Sequence, residues 1–502
     1  MSPSQLFQYT VNQMKQRNKS VFLGEFGVHL PDRRNQSSPI YTFTKEMVHI
    51  ITKENHKSDI NKHAVLLGLY WIWEFPNQNS SFSIYPGLDD DTISVLQQTQ
   101  KQKQTGISKQ KRQTNPLRPL VGSNYFSGWW QGEGNKWIDS PVHNTSWLTQ
   151  YPNRQPLLGQ YNNQSTMDKE ILSASSHGID FFQMLWYNIY NQSDQTGYRT
   201  DLSPGSQYLN TGVQTFTNSS VAHQMSFYIS FCNNAWKPEL INRQQWTNLI
   251  QNHFLPAMKH PSYLTIGGRL VFKMINAISF YQDQCQNQTS CVASMMNELR
   301  ASVRQANLGE IIIGAGIDDV TFNVTSTQTG YQYDWFGQYG TVPSVQINKL
   351  KPSPHIYPSK VLNTFNTLER EQHIVWATKQ SKQSSSSSSV GPYLPLVMTG
   401  WDAIPWGGEG RPRFLPYTVK EWIDILIDVQ KQIIVSANVS AGFPLPGGRV
   451  QPAFSIYCWN EFGEGGMLAP TTGLGSSRIE GIKQVFGVGS FNQKKTNKFH
   501  PF

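Results

Sequence analysis

Two glutamates near the end of the chain are the residues best placed to do chemistry. In Phe454-Ser-Ile-Tyr-Cys-Trp-Asn-Glu-Phe-Gly-Glu-Gly-Gly-Met-Leu-Ala-Pro470 an apolar run leads straight into Glu461 and Glu464, and Gly465 and Gly466 follow. Cleavage of a glycosidic bond uses such a pair: one group protonates the leaving oxygen, the other acts as base or nucleophile. A carboxylate where a strand finishes is also where a (β/α)8 barrel builds its active site. The competing reading, a solvated acidic turn, sits poorly with the preceding Tyr457 and Trp459 in a chain that is only 15% charged.

The elements that would carry this pair are legible as periodicity. Helical patterns over Met167 to His177, Arg243 to Phe254, Val292 to Gln305 and Val419 to Ile434 alternate with apolar runs. Those runs are Ile179 to Leu185, Phe227 to Phe231, Leu270 to Met274, Ile311 to Ile313, Leu394 to Met398 and Phe454 to Tyr457. Short buried strands alternating with helices predict a parallel sheet. No run is long enough to span a bilayer, and the most hydrophobic helix candidate, Glu421 to Val435, keeps its charges on one face.

Trp459-Asn-Glu-Phe-Gly-Glu-Gly resembles the Trp-Asn-Glu-Trp-Gly-Glu-Gly signature of the WbsX-like proteins, relatives of glycoside hydrolase family 99. Other blocks resemble that family in the same order: Asn124 to Trp130, Gln155 to Tyr161, His177 to Phe182 with Trp186-Tyr187, Tyr263 to Phe272, and Thr399-Gly-Trp-Asp402. The resemblance covers roughly residues 118–490. It implies a TIM-type (β/α)8 barrel acting on glycans, with retention of anomeric configuration and the substrate's own 2-hydroxyl as nucleophile. Carried over, Glu461 is the base that takes the 2-hydroxyl proton and Glu464 the acid/base at the leaving oxygen. Phe462-Gly463 stands where family 99 has Trp-His, and Leu468-Ala-Pro470 where WbsX-like proteins often carry Leu-Glu-Pro, so the sugar is not implied. Two other functions stay open: a glycosyltransferase of polysaccharide synthesis, and a catalytically inactive glycan-binding relic.

Around the pair, Asn460 is a candidate for a sugar hydroxyl contact, and Asp180 and Asp402 for holding hydroxyls or orienting the acids. Sugar C–H faces stack on aromatic rings, which nominates Trp129, Trp130, Trp186, Tyr187, Trp401 and Trp459 as substrate-binding, although a barrel also buries many aromatics beneath its helices. No phosphate-cradling glycine motif supports a nucleotide cofactor. The scattered histidines and four cysteines form no metal-ligand spacing, so neither cofactor nor metal is expected.

Residues 1–96 are a different object. Val21-Phe-Leu-Gly-Glu-Phe-Gly-Val28 and Ala64 to Phe75 resemble the last two strand units of cellulase-type barrels, glycoside hydrolase family 5. The resemblance makes Glu25 nucleophile-like and Trp71 or Trp73 a sugar platform, but the partner motif Asn-Glu-Pro is absent from the sequence. Two strand units cannot close a barrel, so this segment is expected to be the C-terminal piece of a truncated domain.

Residues 97–117 are polar, Gln/Lys-rich and without apolar periodicity, which predicts a linker, and 491–502 form a basic tail. Five cations in the linker supply over half of the formal net charge of +9, so the basic balance argues against a nucleic-acid surface. The serine-rich tract Ser381 to Ser389 reads as a loop excursion. Cys285 and Cys291 flank a loop that a disulfide could close, while Cys232 and Cys458 read as buried thiols. Seven Asn-x-Ser/Thr acceptors in the main domain, at 144, 163, 191, 218, 287, 323 and 438, lean towards a secreted or lumenal glycoprotein whose signal peptide is missing from this chain. The partner expected is a poly- or oligosaccharide substrate; the oligomeric state is not legible.

Overall fold

The computed structural model describes residues 118–486, apart from 132–136, 138–146, 191–197, 199–204, 234–240, 318–332, 341–349, 351–354, 384–390, 407–410 and 437–439. All of these lie in the chain's second unit, Asn115–Phe502. The expectations for residues 1–96 with Glu25, Trp71 and Trp73, for the linker 97–117, for 384–389 of the serine tract and for the tail 491–502 fall outside the described residues; the first three residues of that tract end a helix, Ser359–Gln383.

The described chain is a TIM-type barrel of eight parallel strands. They are β1 (Leu120–Tyr125), β2 (Phe181–Tyr187), β3 (Ser226–Cys232), β4 (Arg269–Met274), β5 (Glu310–Gly316), β6 (Trp335–Gly337), β7 (Tyr393–Leu394, continued by Leu396–Met398) and β8 (Val450–Tyr457). Each pairs with the next, as in Phe181↔Ser226 through Tyr187↔Cys232. The ring closes because β8 pairs with both β7 (Leu396↔Ser455) and β1 (Leu120↔Ala453). Pro395 interrupts β7: it has no N–H to donate, and its carbonyl instead accepts from the Ser455 N–H at 2.8 Å.

Helices cover the barrel: α1 (Gln164–Ser176), α2 (Thr211–Thr217), α3 (Arg243–Leu249, running on to Met258), α4 (Thr289–Gln305), α5 (Ser359–Gln383), α6 (Val419–Ser436) and α7 (Ser477–Phe486). Local chemistry starts them. At α6 the sequence Thr418-Val-Lys-Glu421 forms a capping box: the Thr418 N–H donates to Glu421 Oε2 at 2.8 Å, and the Glu421 N–H to Thr418 Oγ1 at 3.2 Å. α6 then buries Trp422, Leu426, Val429 and Ile433, the stripe that a 3.6-residue period presents to the barrel.

Aromatic rings fill the N-terminal half of the barrel interior. Phe181, Tyr228, Trp335 and Phe443 meet with centroids 5.0–6.4 Å apart. Phe443 comes from the short strand Gly442–Pro444, which pairs antiparallel with β8. Each such pair adds about 0.5–1.5 kcal/mol beyond the area it buries. Gly314 permits this packing, since a Cβ there would lie 2.3 Å from the Trp335 ring. Gly314→Ala therefore displaces Trp335 and opens the layer.

Five of these elements carry no expectation from the sequence: β1, β6, α2, α5 and α7. β6 is three residues long, too short to show a period, and α5 has an ambiguous pattern, with Leu368 and Val375 exposed. Cys285 and Cys291 are disulfide-bonded; Cys232 is a half-buried free thiol and Cys458 a buried one. Among the described residues no helix is long and apolar enough to cross a membrane, and no His/Cys/Asp/Glu cluster could hold a metal ion.

Candidate active site

β8 delivers the two glutamates to the C-terminal rim. After Tyr457, whose peptide bond to Cys458 is cis, Asn460–Glu461 pairs antiparallel with Gly466–Met467. The link between them is a single tight turn, Phe462–Glu464, ended by Gly465 at φ 75°, a left-handed conformation that glycine adopts without steric cost. Glu461 thus stands at the entry of the turn and Glu464 at its exit.

A tyrosine holds each carboxylate. Tyr339, two residues past β6, donates its hydroxyl to Glu461 Oε1 at 2.7 Å, and Tyr457 donates to Glu464 Oε2. The two rings meet edge to face, 5.6 Å apart at 88°. Tyr187, at the end of β2, is also close: its pKa is raised first by burial and then by the charges of Cys232, Glu461 and Glu464. Glu461 is 3% exposed, whereas Glu464 keeps partial access to solvent. Burial pushes the Glu464 pKa up, against the opposing pull of the Tyr457 hydroxyl and the Arg411 guanidinium. Arg411 also lies over the Trp401 ring at 5.8 Å, and Trp401 is 5.9 Å from Tyr457, so Trp401 belongs to this rim.

Several residues expected at the sugar stand elsewhere. Asp180 precedes β2, at the N-terminal end of the barrel, about 20 Å of strand from the rim. There its Oδ2 accepts from Arg118 and from the Val121 N–H, both at 2.8 Å. Trp186 lies outside the barrel, packed on Phe231, Phe254 and His253 between β2 and α3. Trp459 is fully buried against Phe182, with its indole N–H donated to Glu170 of α1 at 3.0 Å. Asn460 is also fully buried and spends its amide on the backbone of Phe126, accepting at 2.7 Å and donating at 3.0 Å. The cause is plainest at Trp186, which lies within β2. Consecutive residues of a strand point to opposite faces, and in a covered barrel both faces are apolar, so the sequence does not say which face is which.

Trp129 and Trp130 are core as well. Trp129 stacks on Trp137 at 3.9 Å, packs on Phe462 and donates its N–H to Asn460 O; Trp130 packs near Tyr208. Asp402 lies at the rim, but both of its carboxylate oxygens accept from Arg413, and Oδ2 also accepts from Arg154. Its backbone N–H donates to Glu464 O at 2.8 Å, so of its two expected roles the orienting one fits this geometry.

Sequence reasoning missed Tyr339, Arg154, Arg413 and Glu170. Glu170 is buried, accepts from Tyr125 (2.6 Å) and Trp459, and burial raises its pKa to about 7. Its place on a helical stripe of otherwise apolar buried residues, Met167, Ile171 and Ala174, was the available clue.

No protein-family model and no curated protein sequence matches the chain. Among solved structures it is similar to a glycoside hydrolase-like protein, at 13% identity and a TM-score of 0.46, over 76% of this chain and 97% of that one. It is similar to the GH99 endo-alpha-mannosidase from Bacteroides thetaiotaomicron at 14% identity and 0.44, over 74% and 98%. A GH5_18 protein from Bifidobacterium longum subsp. infantis matches at 10% identity and 0.40, over 74% and 79%. The barrel itself rests on the closed strand order.

Proposed function

We propose that this barrel hydrolyses glycosidic bonds in a poly- or oligosaccharide with retention of configuration, using Glu461 and Glu464. The observation that carries the reading is the placement of both carboxylates on one turn at the C-terminal end of a barrel strand, each held by a tyrosine hydroxyl. Glu464, whose pKa burial raises, acts as the acid and gives its proton to the leaving oxygen as the bond to the anomeric carbon breaks. Glu461 takes the proton of the 2-hydroxyl, whose oxygen forms the new bond to that carbon. Water then opens the three-membered ring: its oxygen adds to the anomeric carbon as Glu464 takes its proton, and Glu461 returns a proton to the 2-oxygen. Tyr187, Trp401 and Arg411 border this space and are the side chains proposed to meet the sugar.

We further infer a secreted or lumenal setting. A Cys285–Cys291 disulfide suits an oxidising compartment, and the acceptor asparagines 218 and 287 are both exposed.

A panel of α-mannans, α-glucans and β-glucans tests the reading, with the wild type run beside Glu461→Gln and Glu464→Gln and the product anomer followed by NMR. Cleavage of one polymer with retention, abolished by either substitution, is expected. Cleavage that survives both substitutions sinks it.

A further inference from the structure

We propose that Arg154, locked by Asp402, is the positioning residue of this site: it grips the turn that joins the two glutamates and so sets their spacing. This rests on the hydrolase reading above. A single turn satisfies few of its own carbonyls: here only Phe462 O accepts locally, from the Gly465 N–H at 3.4 Å, and three consecutive carbonyls take donors from outside the turn. Arg154 Nη1 faces Phe462 O at 3.1 Å, Gly463 O at 3.4 Å and Asp402 O at 3.0 Å, and the Asp402 N–H takes Glu464 O at 2.8 Å. Two residues remote in sequence therefore hold every carbonyl from the first acid's neighbour to the second acid.

The grip is itself braced. Arg154 Nη2 donates to Asp402 Oδ2 at 2.7 Å, while Arg413 donates to the same carboxylate through Nε at 3.1 Å and Nη2 at 3.0 Å. The Arg154 and Asp402 side chains are 10% and 14% exposed, so the pair is shielded from the screening that weakens surface ion pairs. On the turn itself Trp406 packs on Gly463, where a Cβ would come within 2.2 Å of the indole nitrogen. A planar fork suits three carbonyls and a carboxylate at once; an ammonium keeps the charge without the fork. The cation touches neither carboxylate of the pair, and its effect passes through the backbone.

The full-length protein tests this as Arg154→Lys and Asp402→Asn, with Arg304→Ala, which breaks an exposed ion pair to Glu310, as the control. For Arg154→Lys, kcat on the cleaved glycan falls on the order of 10²-fold while KM moves less than about threefold and the melting temperature holds within a few degrees. The basic limb of its pH profile moves down, because a loosened turn exposes Glu464 and relieves the burial that raises its pKa. Asp402→Asn acts in the same direction, and Arg304→Ala changes nothing. A kcat within about twofold of wild type, or a loss that only tracks the folded fraction, overturns the proposal. A crystal structure of Arg154→Lys decides the point without turnover: the Phe462–Glu464 turn shifts while β1–β8 stay in place, and an unmoved turn overturns the clamp. If the wild type cuts no glycan, the hydrolase reading fails and the crystallographic result still judges the clamp.

Discussion

The two ends of the barrel use the same carboxylate chemistry with opposite partners. At the N-terminal end Asp180 accepts from Arg118 and the Val121 N–H, and Asp334, just before β6, accepts from Arg300 at 3.0 Å and the Ile313 N–H at 2.8 Å. Each acid thus precedes one strand and ties it to the second or fourth residue of the strand before. At the C-terminal end Glu461 and Glu464 accept from Tyr339 and Tyr457, which carry no charge. Burial raises the Asp180 pKa as well, but there the Arg118 guanidinium and the Val121 N–H oppose it and fix the acid as a strut. A tyrosine holds the acid in place without a charge, and at Glu464 burial outweighs the pull of the hydroxyl on the proton, which suits a group that must give and take one.

The largest effects separate the two ends directly. Glu464→Gln lowers kcat on the order of 10³-fold with little change in melting temperature, whereas Asp180→Asn leaves kcat unchanged and lowers stability by about 1–3 kcal/mol. Equal effects of the two substitutions on turnover would break the comparison. Tyr457→Phe sharpens it: kcat falls roughly 10- to 100-fold, and the basic limb of the pH–rate profile moves up. The direction follows because the lost hydroxyl opposed the burial that raises the Glu464 pKa. A limb that moves down would show that the tyrosine does not favour the ionised acid.

Glu170 is the intermediate case, a buried acid with tyrosine and tryptophan donors and no substrate to serve. Its folded pKa, about 7 against 4.5, lies above the unfolded one, so the folded state binds the extra proton between those values. The stability it contributes is complete below pH 4.5 and is lost as pH rises to 7, by roughly 3 kcal/mol in all. Denaturant titrations of the wild type therefore lose stability across that window, and Glu170→Gln flattens the dependence. A wild-type curve that matches the Gln variant at each pH refutes this. The smallest effect is remote from both ends: reduction of Cys285–Cys291, which closes a loop with a sequence separation of 6, lowers stability by about 2 kcal/mol and leaves kcat alone.

The catalytic candidates and the barrel class were legible in the sequence because both are local. Apolar runs of strand length alternate with amphipathic stretches, and a run that ends in Asn460-Glu461-Phe-Gly-Glu464 declares a strand end with two acids. β6 was illegible at three residues, and with it Tyr339, which follows no motif. Trp186 and Tyr187 show the limit at single-residue resolution. They are adjacent and both aromatic, yet one faces α3 and the other lies near the acids.

Composition and periodicity by themselves determined that strands and helices alternate, that a parallel sheet follows and that two glutamates end one strand. Closure of the sheet and the tertiary register decided everything that depends on what a side chain meets. That includes Asp180 as a strut, Trp459 as a donor to Glu170, the tyrosine held to each acid, and Arg154 brought to the turn from 308 residues away. The reason is physical. Backbone preference and apolar spacing act within a few residues of the chain, whereas hydrogen bonds, burial and the pKa values they set arise between residues that only the closed barrel brings together.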